Sequence, residues 1–113
     1  RFAPPYTFVA ISTRRPLAWK GALPAARAAR RRDPSDPDVL NRLGGLELTH
    51  GLIEHAKVAF TEARYWNPQS VTAALGLATI ASTRGDQRRS NRLCAQAKRL
   101  APRIHCTIRP LRR

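Results

Sequence analysis

The sequence lacks the residue patterns that mark most enzymes. It contains only three histidines, His50, His55 and His105, and they form no Ser/His/acid or Cys/His arrangement. No glycine-rich phosphate loop is present. We therefore expect a non-enzymatic protein with no cofactor and no small-molecule substrate.

Long apolar runs and methionine are also absent. The best apolar stretch, residues 71–81, contains Gly and Thr and is shorter than the ~18 to 20 residues that span a bilayer. We therefore expect no transmembrane segment. Because the sequence has no methionine, Arg1 is not an initiator residue, and we expect that processing or trimming removed an earlier start.

The two cysteines lack the spacing of a metal site. Zinc ligands usually come in closely spaced pairs, whereas Cys94 is far from Cys106 and its neighbour His105. We therefore expect no metal. Cys94 falls on the apolar stripe of a predicted helix, which predicts a buried thiol. A Cys94–Cys106 disulfide is the alternative if the compartment is oxidising.

Acidic residues are missing from both ends of the chain. Residues 1–32 have seven Arg and one Lys, residues 87–113 have nine basic residues, and neither segment contains an acid. Residues 33–86 have four basic and seven acidic residues, so a near-neutral body lies between two basic ends. This asymmetry predicts an anionic partner at the ends. A GC-rich genome would also favour Arg over Lys, but it does not explain the missing acids.

Proline, glycine and alanine residues recur at one fixed interval in the middle of the chain. We call this interval the repeat period. It separates Pro34 from Pro68 and Pro68 from Pro102, and it separates Gly51 from Gly85 and Ala63 from Ala97. A period of about 34 residues is typical of stacked helix–turn–helix units. Three residues, Asp36, Ser70 and Asp86, are placed to cap helices, and the two glycines fit the left-handed position that ends a helix.

This pattern resembles the tetratricopeptide repeat (TPR). The first full repeat has the matching residues Leu40, Leu43, Gly44, Ala56, Phe60, Ala63 and Pro68. The second has Ala74, Leu77, Ala78, Ser90, Cys94, Ala97 and Pro102, and a half repeat with Ala22, Ala26, Ala29 and Pro34 precedes both. Glu47 and Ala81 replace the aromatic residue expected in each first helix, which loosens the expected packing. The resemblance implies an all-α fold of antiparallel helix pairs stacked in a short solenoid.

We expect three segments along the chain. Residues 1–16 form an extended basic and apolar arm, residues 17–102 form the TPR-like helical repeat domain with about five helices, and residues 103–113 form an extended Arg-rich tail. Pro24 is well placed to begin the first helix. The acid-free start resembles the remnant of an organelle transit peptide, so we expect an organelle, with the mitochondrion first and the cytoplasm as the alternative.

Apolar residues at helical spacing predict the core. In the first repeat they are Leu40, Leu43, Leu46, Leu48, Leu52, Val58, Phe60 and Trp66, and in the last helix they are Leu93, Cys94, Ala97 and Leu100. Tyr65 and Trp66 are expected to pack on the neighbouring helix rather than stack on a ligand.

The resemblance also implies a scaffold that binds proteins through the concave face of its first helices. The residues on that face would be Asp38, Asn41, Arg42, Gly45, Thr49, Thr72, Leu75, Thr79, Ser82 and Thr83. Asn41 and Arg42 partly match the members that clamp a C-terminal carboxylate. The second repeat has no such match, which disfavours a carboxylate clamp.

Eleven arginines are candidates for binding an anion: Arg30, Arg31, Arg32, Arg88, Arg89, Arg92, Arg99, Arg103, Arg109, Arg112 and Arg113. Arg88, Arg92 and Arg99 lie on one face of the last helix with Gln96, over roughly 17 Å. The planar guanidinium suits phosphate geometry, although a basic face that is merely solvated is the alternative.

Together these features predict a structural subunit of a larger assembly. Two and a half repeats are few for a stable stack, so we expect protein partners to cover an end of it. The charge layout is like that of organelle ribosomal proteins, with RNA as the anionic partner. The alternatives are a protein-only subunit of a membrane-bound organelle complex, where the tails meet acidic proteins or anionic lipid, and a soluble adaptor for an acidic peptide.

Overall fold

A computed structural model describes residues 16–106, with side chains described from residue 21. This part of the chain forms five helices and no strand: α1 (Pro16–Arg32), α2 (Pro37–Thr49), α3 (Ile53–Trp66), α4 (Val71–Thr83) and α5 (Gln87–Leu100). The all-α prediction is confirmed. The predicted arm up to residue 15 and tail residues 107–113, with Arg109, Arg112 and Arg113, lie outside the described residues.

The helix ends follow the predicted capping residues. The side chains of Asp36, Ser70 and Asp86 each accept a hydrogen bond from a backbone N–H in the first turn of α2, α4 and α5, at 2.9, 3.2 and 3.1 Å. Gly51 and Gly85 have φ values of 83° and 85°, the left-handed conformation that glycine adopts without strain. The predicted helix ends are confirmed at all five of these positions.

The core is centred on the ring of Phe60, the largest of the fully buried side chains. Each helix packs against the next one along the chain, and α2 also contacts α4. A Cβ atom added to Gly44 of α2 would lie 3.0 Å from the ring of Phe60, and one added to Gly76 of α4 would lie 2.6 Å away. The two glycines therefore let both helices approach this ring closely.

The first helix begins earlier than predicted, at Pro16 rather than at Pro24. Proline inside a helix removes a hydrogen bond and crowds the preceding turn. Leu23, directly before Pro24, is buried in a cluster with Ala26, Leu43 and Ala59. This packing holds the helix together across the proline, so a tertiary contact overrides the local signal.

Four side chains predicted to lie in the core or on a neighbouring helix are exposed: Val58, Tyr65, Trp66 and Leu100. At 3.6 residues per turn, Val58 and Tyr65 lie on the side of α3 opposite to its buried Ala56, Phe60 and Ala63. Trp66 and Leu100 are the last residues of α3 and α5 and lie at the edge of the buried stripe. The prediction that these residues lie in the core or pack on a neighbouring helix is wrong.

The chain turns back after Pro102, so that Ile104 and Cys106 pack against the apolar side of α4 and α5. The turn is closed by a hydrogen bond from the backbone N–H of Ile104 to the carbonyl of Ala101. Cys94 and Cys106 form a disulfide with a Cα–Cα distance of 5.8 Å. The predicted buried thiol is therefore wrong, and the alternative, the disulfide, is present. None of the described helices is long and apolar enough to cross a membrane.

Candidate functional site

Two surface clefts occupy corresponding places in the fold. The first cleft, of about 340 Å³, is lined by Arg27, Arg30, Arg31, Pro34, Leu43, Glu47 and His55. The second cleft, of about 260 Å³, is lined by Thr61, Arg64, Tyr65, Pro68, Leu77 and Arg89. Each residue of the second cleft lies one repeat period after a residue of the first. The sequence period therefore repeats a cleft as well as a helix pair.

A guanidinium is held by a hydrogen bond in each cleft. Arg30 donates to Oε1 of Glu62 at 2.7 Å, and Arg64 donates to Oε1 of Gln96 at 2.9 Å. Glu62 and Gln96 are themselves separated by the repeat period. The charge of Arg30 is offset by a carboxylate, whereas Arg64 is bonded to a neutral amide that leaves its charge available to an anion.

The first cleft contains a buried carboxyl group. The side chain of Glu47 is only 3 % exposed, and its Oε2 lies 3.9 Å from Nη2 of Arg27. Its Oε1 has no hydrogen-bond partner among the described residues. Burial raises the pKa of Glu47, although the nearby His55, Arg27 and Arg30 act in the opposite direction. The first cleft therefore combines positively charged arginines with a carboxyl group whose charged form is disfavoured by burial.

In the sequence, Glu47 differs only in lying at a position where the resemblance implies an aromatic residue. The corresponding residue of α4 is Ala81, which is buried and has no charge. The available signal was an acidic residue among Leu43, Leu46 and Leu48 of the predicted apolar stripe, because isolated charges are rarely placed in a core.

The second cleft combines an exposed aromatic ring with two arginines. The side chain of Tyr65 is 75 % exposed, and its ring meets that of Trp66 edge to face with the centroids 5.0 Å apart. Arg64 lies half-buried on the same helix, and Arg89 of α5 is exposed. Within the described part of the chain, no acidic residue lines this cleft. Such a site can stack a flat ligand on the tyrosine and bind an anionic group through the arginines.

The basic residues predicted on α5 and beyond it are exposed: Arg88, Arg89, Arg92, Arg99 and Arg103. None of the ion pairs among the described residues involves an arginine of α5. Gln96, expected on the same face, is instead half-buried against Arg64. We call Arg88, Arg89, Arg92 and Arg99 the α5 basic face. Arg89 belongs both to this face and to the second cleft.

The basic end of α1 is divided between the first cleft and solvent. Arg30 is half-buried in its bond to Glu62, Arg31 is exposed and lines the first cleft, and Arg32 is exposed. The structure therefore brings Arg30 and Arg31 together with Glu47, which the sequence did not place near them.

Most of the polar side chains expected on a concave protein-binding face make hydrogen bonds within the chain. The hydroxyls of Thr49, Thr79 and Thr83 donate to the carbonyls of Gly45, Leu75 and Thr79 of their own helices. Asn41 donates to Ser70, and Ser82 donates to Gln87. Gly45, Leu75 and Ser82 are buried, and Thr72 is half-buried. Of the ten residues only Asp38 and Arg42 are exposed.

The described residues contain no cluster of three or more His, Cys, Asp or Glu side chains that could hold a metal ion. Of the two clefts, the second has the simpler electrostatics, since its charged lining residues are both arginines. The sequence matches no protein-family model, and no curated protein is significantly similar to it.

Proposed function

We propose that the chain is a non-enzymatic scaffold, a structural subunit of an RNA-containing assembly in which the α5 basic face contacts phosphates. The observation that supports it best is the group of exposed arginines on α5, none of which has an ion-pair partner among the described residues. A concentration of one charge creates a local potential that attracts an anionic partner. Arginine is well suited to that partner, because its planar fork binds phosphate through two hydrogen bonds.

The proposed scaffold is a short TPR-like solenoid with basic arms. This proposal is supported by the contacts between helices that are consecutive in the chain and by the two corresponding clefts, one repeat period apart. It is also supported by the repeated bonds from Arg30 to Glu62 and from Arg64 to Gln96, which connect α1 to α3 and α3 to α5. In this arrangement the packed helices support the α5 basic face.

The contact with RNA would be electrostatic and independent of sequence. Phosphate contacts fix the position of a protein on RNA without identifying the bases. The residues of the α5 basic face run along one helix, so they would follow a strand of phosphates. We propose an organelle as the location, with the mitochondrion first and the cytoplasm as the alternative. The Cys94–Cys106 disulfide favours a compartment that is oxidising.

The test is the salt dependence of RNA binding. Fluorescence anisotropy with a labelled single-stranded RNA should give a log affinity that falls linearly with log salt, by about 0.7 per phosphate contact. Replacing Arg88, Arg92 and Arg99 by Ala should make this slope shallower by about two. The matched control removes three charges elsewhere, at Arg42, Lys57 and Arg84, and should leave the slope almost unchanged. Equal slopes for the wild type and the α5 variant would refute the RNA proposal.

A protein-only scaffold is the second candidate function. It is favoured by the exposed apolar side chains of Trp66 and Leu100, which end α3 and α5 and are also separated by the repeat period. Exposed aromatic and apolar residues are typical of the centre of protein interfaces. If replacing both by Ser dissociates the assembly while the α5 variant leaves it intact, the protein-only function is correct.

A further inference from the structure

We propose that the second cleft binds one nucleotide of single-stranded RNA, with the base stacked on Tyr65 and the phosphate held by Arg64 and Arg89. The inference rests on the proposed RNA-binding function and goes beyond it by naming a pocket that recognises a base as well as a phosphate. Tyr65 is a residue whose place at the end of α3 predicts packing on a neighbouring helix.

The tyrosine ring is available for stacking. Tyr65 is 75 % exposed, and its contact with Trp66 is edge to face, with an interplanar angle of 86°. Trp66 is itself about half exposed, so the two rings form one continuous aromatic patch, and continuous exposed patches mark interaction sites. A nucleobase is flat and stacks on aromatic side chains whatever its identity.

The arginines are placed for the phosphate of the same nucleotide. Arg64 directly precedes Tyr65 on α3 and is fixed by its 2.9 Å bond to Gln96, so little side-chain freedom is lost when an anion binds. Arg89 lines the cleft from α5 and is exposed. Leu77 and Pro68 supply the apolar part of the lining.

The lining of the first cleft is less suited to a nucleotide than the lining of the second cleft. At the place of Tyr65 it has Arg31, and at the place of Arg89 it has His55. It also contains the buried Glu47, while its Arg30 is already paired with Glu62. In the first cleft a phosphate would meet the buried carboxyl group of Glu47 and an Arg30 that is already paired. A base would find no aromatic ring to stack on, so the first cleft lacks the stacking half of the nucleotide site.

The second cleft also continues into the α5 basic face. Arg92 lies about one turn beyond Arg89, and residues at this spacing are neighbours on a helix surface. A strand whose base enters the cleft can therefore place its next phosphates along α5. An acidic peptide would use the arginines but has no need of the exposed ring, which is why RNA is favoured over a peptide.

The experiment compares Tyr65→Ala, Tyr65→Leu and Tyr65→Phe in the full chain, by fluorescence anisotropy with labelled oligouridine. Stacking losses measured by alanine substitution correspond to an affinity about five- to 150-fold weaker for Tyr65→Ala. Tyr65→Leu, which keeps bulk without a π face, should be similarly weak. Tyr65→Phe should bind like the wild type. Circular dichroism checks that each variant keeps its helices.

The salt slope separates this inference from the proposed function. Tyr65→Ala should weaken binding with an unchanged slope, because the ring contacts no phosphate, whereas Arg89→Ala should reduce the slope by about 0.7. His55→Ala, at the corresponding place in the first cleft, is the matched control and should change neither quantity.

Three outcomes would overturn the inference. If the wild type binds RNA and Tyr65→Ala binds equally well, the nucleotide site is wrong while the proposed function stands. If the wild type fails to bind RNA, the proposed function itself is wrong. If an oligoglutamate peptide or vesicles with anionic lipid bind more tightly than RNA and lose affinity in Tyr65→Ala, the cleft binds that partner instead.

Discussion

The position of the Phe60 ring between Gly44 and Gly76 predicts that Gly→Ala substitutions change the stability of the fold by different amounts. A Cβ at Gly76 would lie 2.6 Å from the ring, a Cβ at Gly44 would lie 3.0 Å from it, and a Cβ at Gly21 of α1 would meet nothing within 4 Å. All three glycines lie inside helices. Gly→Ala substitutions at the three positions therefore differ in the contact that each new methyl group makes.

Two opposing effects set the magnitude. Alanine is favoured over glycine within a helix by about 0.5–1 kcal/mol, and this gain applies at all three sites. Forcing an extra methyl group into a packed core costs about 1–3 kcal/mol, and this cost applies fully at Gly76 and only partly at Gly44. We expect Gly21→Ala to stabilise by about 0.5–1 kcal/mol, Gly44→Ala to be nearly neutral, and Gly76→Ala to destabilise by about 1–2 kcal/mol.

Thermal unfolding followed by circular dichroism measures the series. For a domain of this size each kcal/mol shifts Tm by about 4–8 °C, so the order Gly21→Ala, Gly44→Ala, Gly76→Ala should be resolved. Combining Gly76→Ala with Phe60→Leu, which makes room for the methyl group, should recover part of the loss through a favourable coupling. A Gly76→Ala variant as stabilised as Gly21→Ala would show that Phe60 does not fill the space between α2 and α4.

Further predictions concern the core, the disulfide and the buried carboxyl group. Phe60→Ala should cost about 3–5 kcal/mol of stability. Because we expect the isolated chain to have less than about 5 kcal/mol of stability, a urea titration should show this variant largely unfolded before urea is added. Replacing Cys94 and Cys106 by Ser should cost about 3 kcal/mol by the loop-entropy relation, given their separation of 12 residues, and a reductant should lower the Tm of the wild type but not of this variant. Because burial raises the pKa of Glu47 above its ordinary 4.5, the protonated carboxyl group stabilises the fold below that pH and the stabilisation is lost as pH rises through the raised pKa. Glu47→Gln should therefore unfold at a higher temperature than the wild type at neutral pH, with the difference shrinking in acid; a difference that grows in acid would contradict this assignment.

The sequence was sufficient for the helices and their ends because those signals are local. Asp36, Ser70 and Asp86 cap with their own side chains, and Gly51 and Gly85 need only their own backbone conformation. The start of α1 was predicted incorrectly, because the packing of Leu23 is a long-range contact that the proline at position 24 gives no sign of.

The candidate site was less accessible to sequence reasoning. The exposure of the α5 arginines follows from their spacing. Tyr65, in contrast, was assigned to a packed position because aromatic residues usually lie there, although its spacing from Phe60 and Ala63 places it on the outer side of α3. The bond between Arg64 and Gln96 joins residues 32 positions apart, so only the packing of α3 against its neighbours could bring them together.

The order of contacts among the helices also bears on how the molecule opens. Among the described helices, the backbone of α1 approaches only that of α2, and α1 reaches α3 through side chains such as that of Arg30, whereas α3 is flanked by α2 and α4. A helix at the end of such a row can detach without unfolding the others, because stability in a stack is a sum of local and nearest-neighbour contributions. Detachment of α1 would take Arg27 and Arg31 away from the first cleft and expose Glu47 to water. The second cleft, built on α3, α4 and α5, would survive the same event, so the two corresponding clefts would have different lifetimes within one molecule.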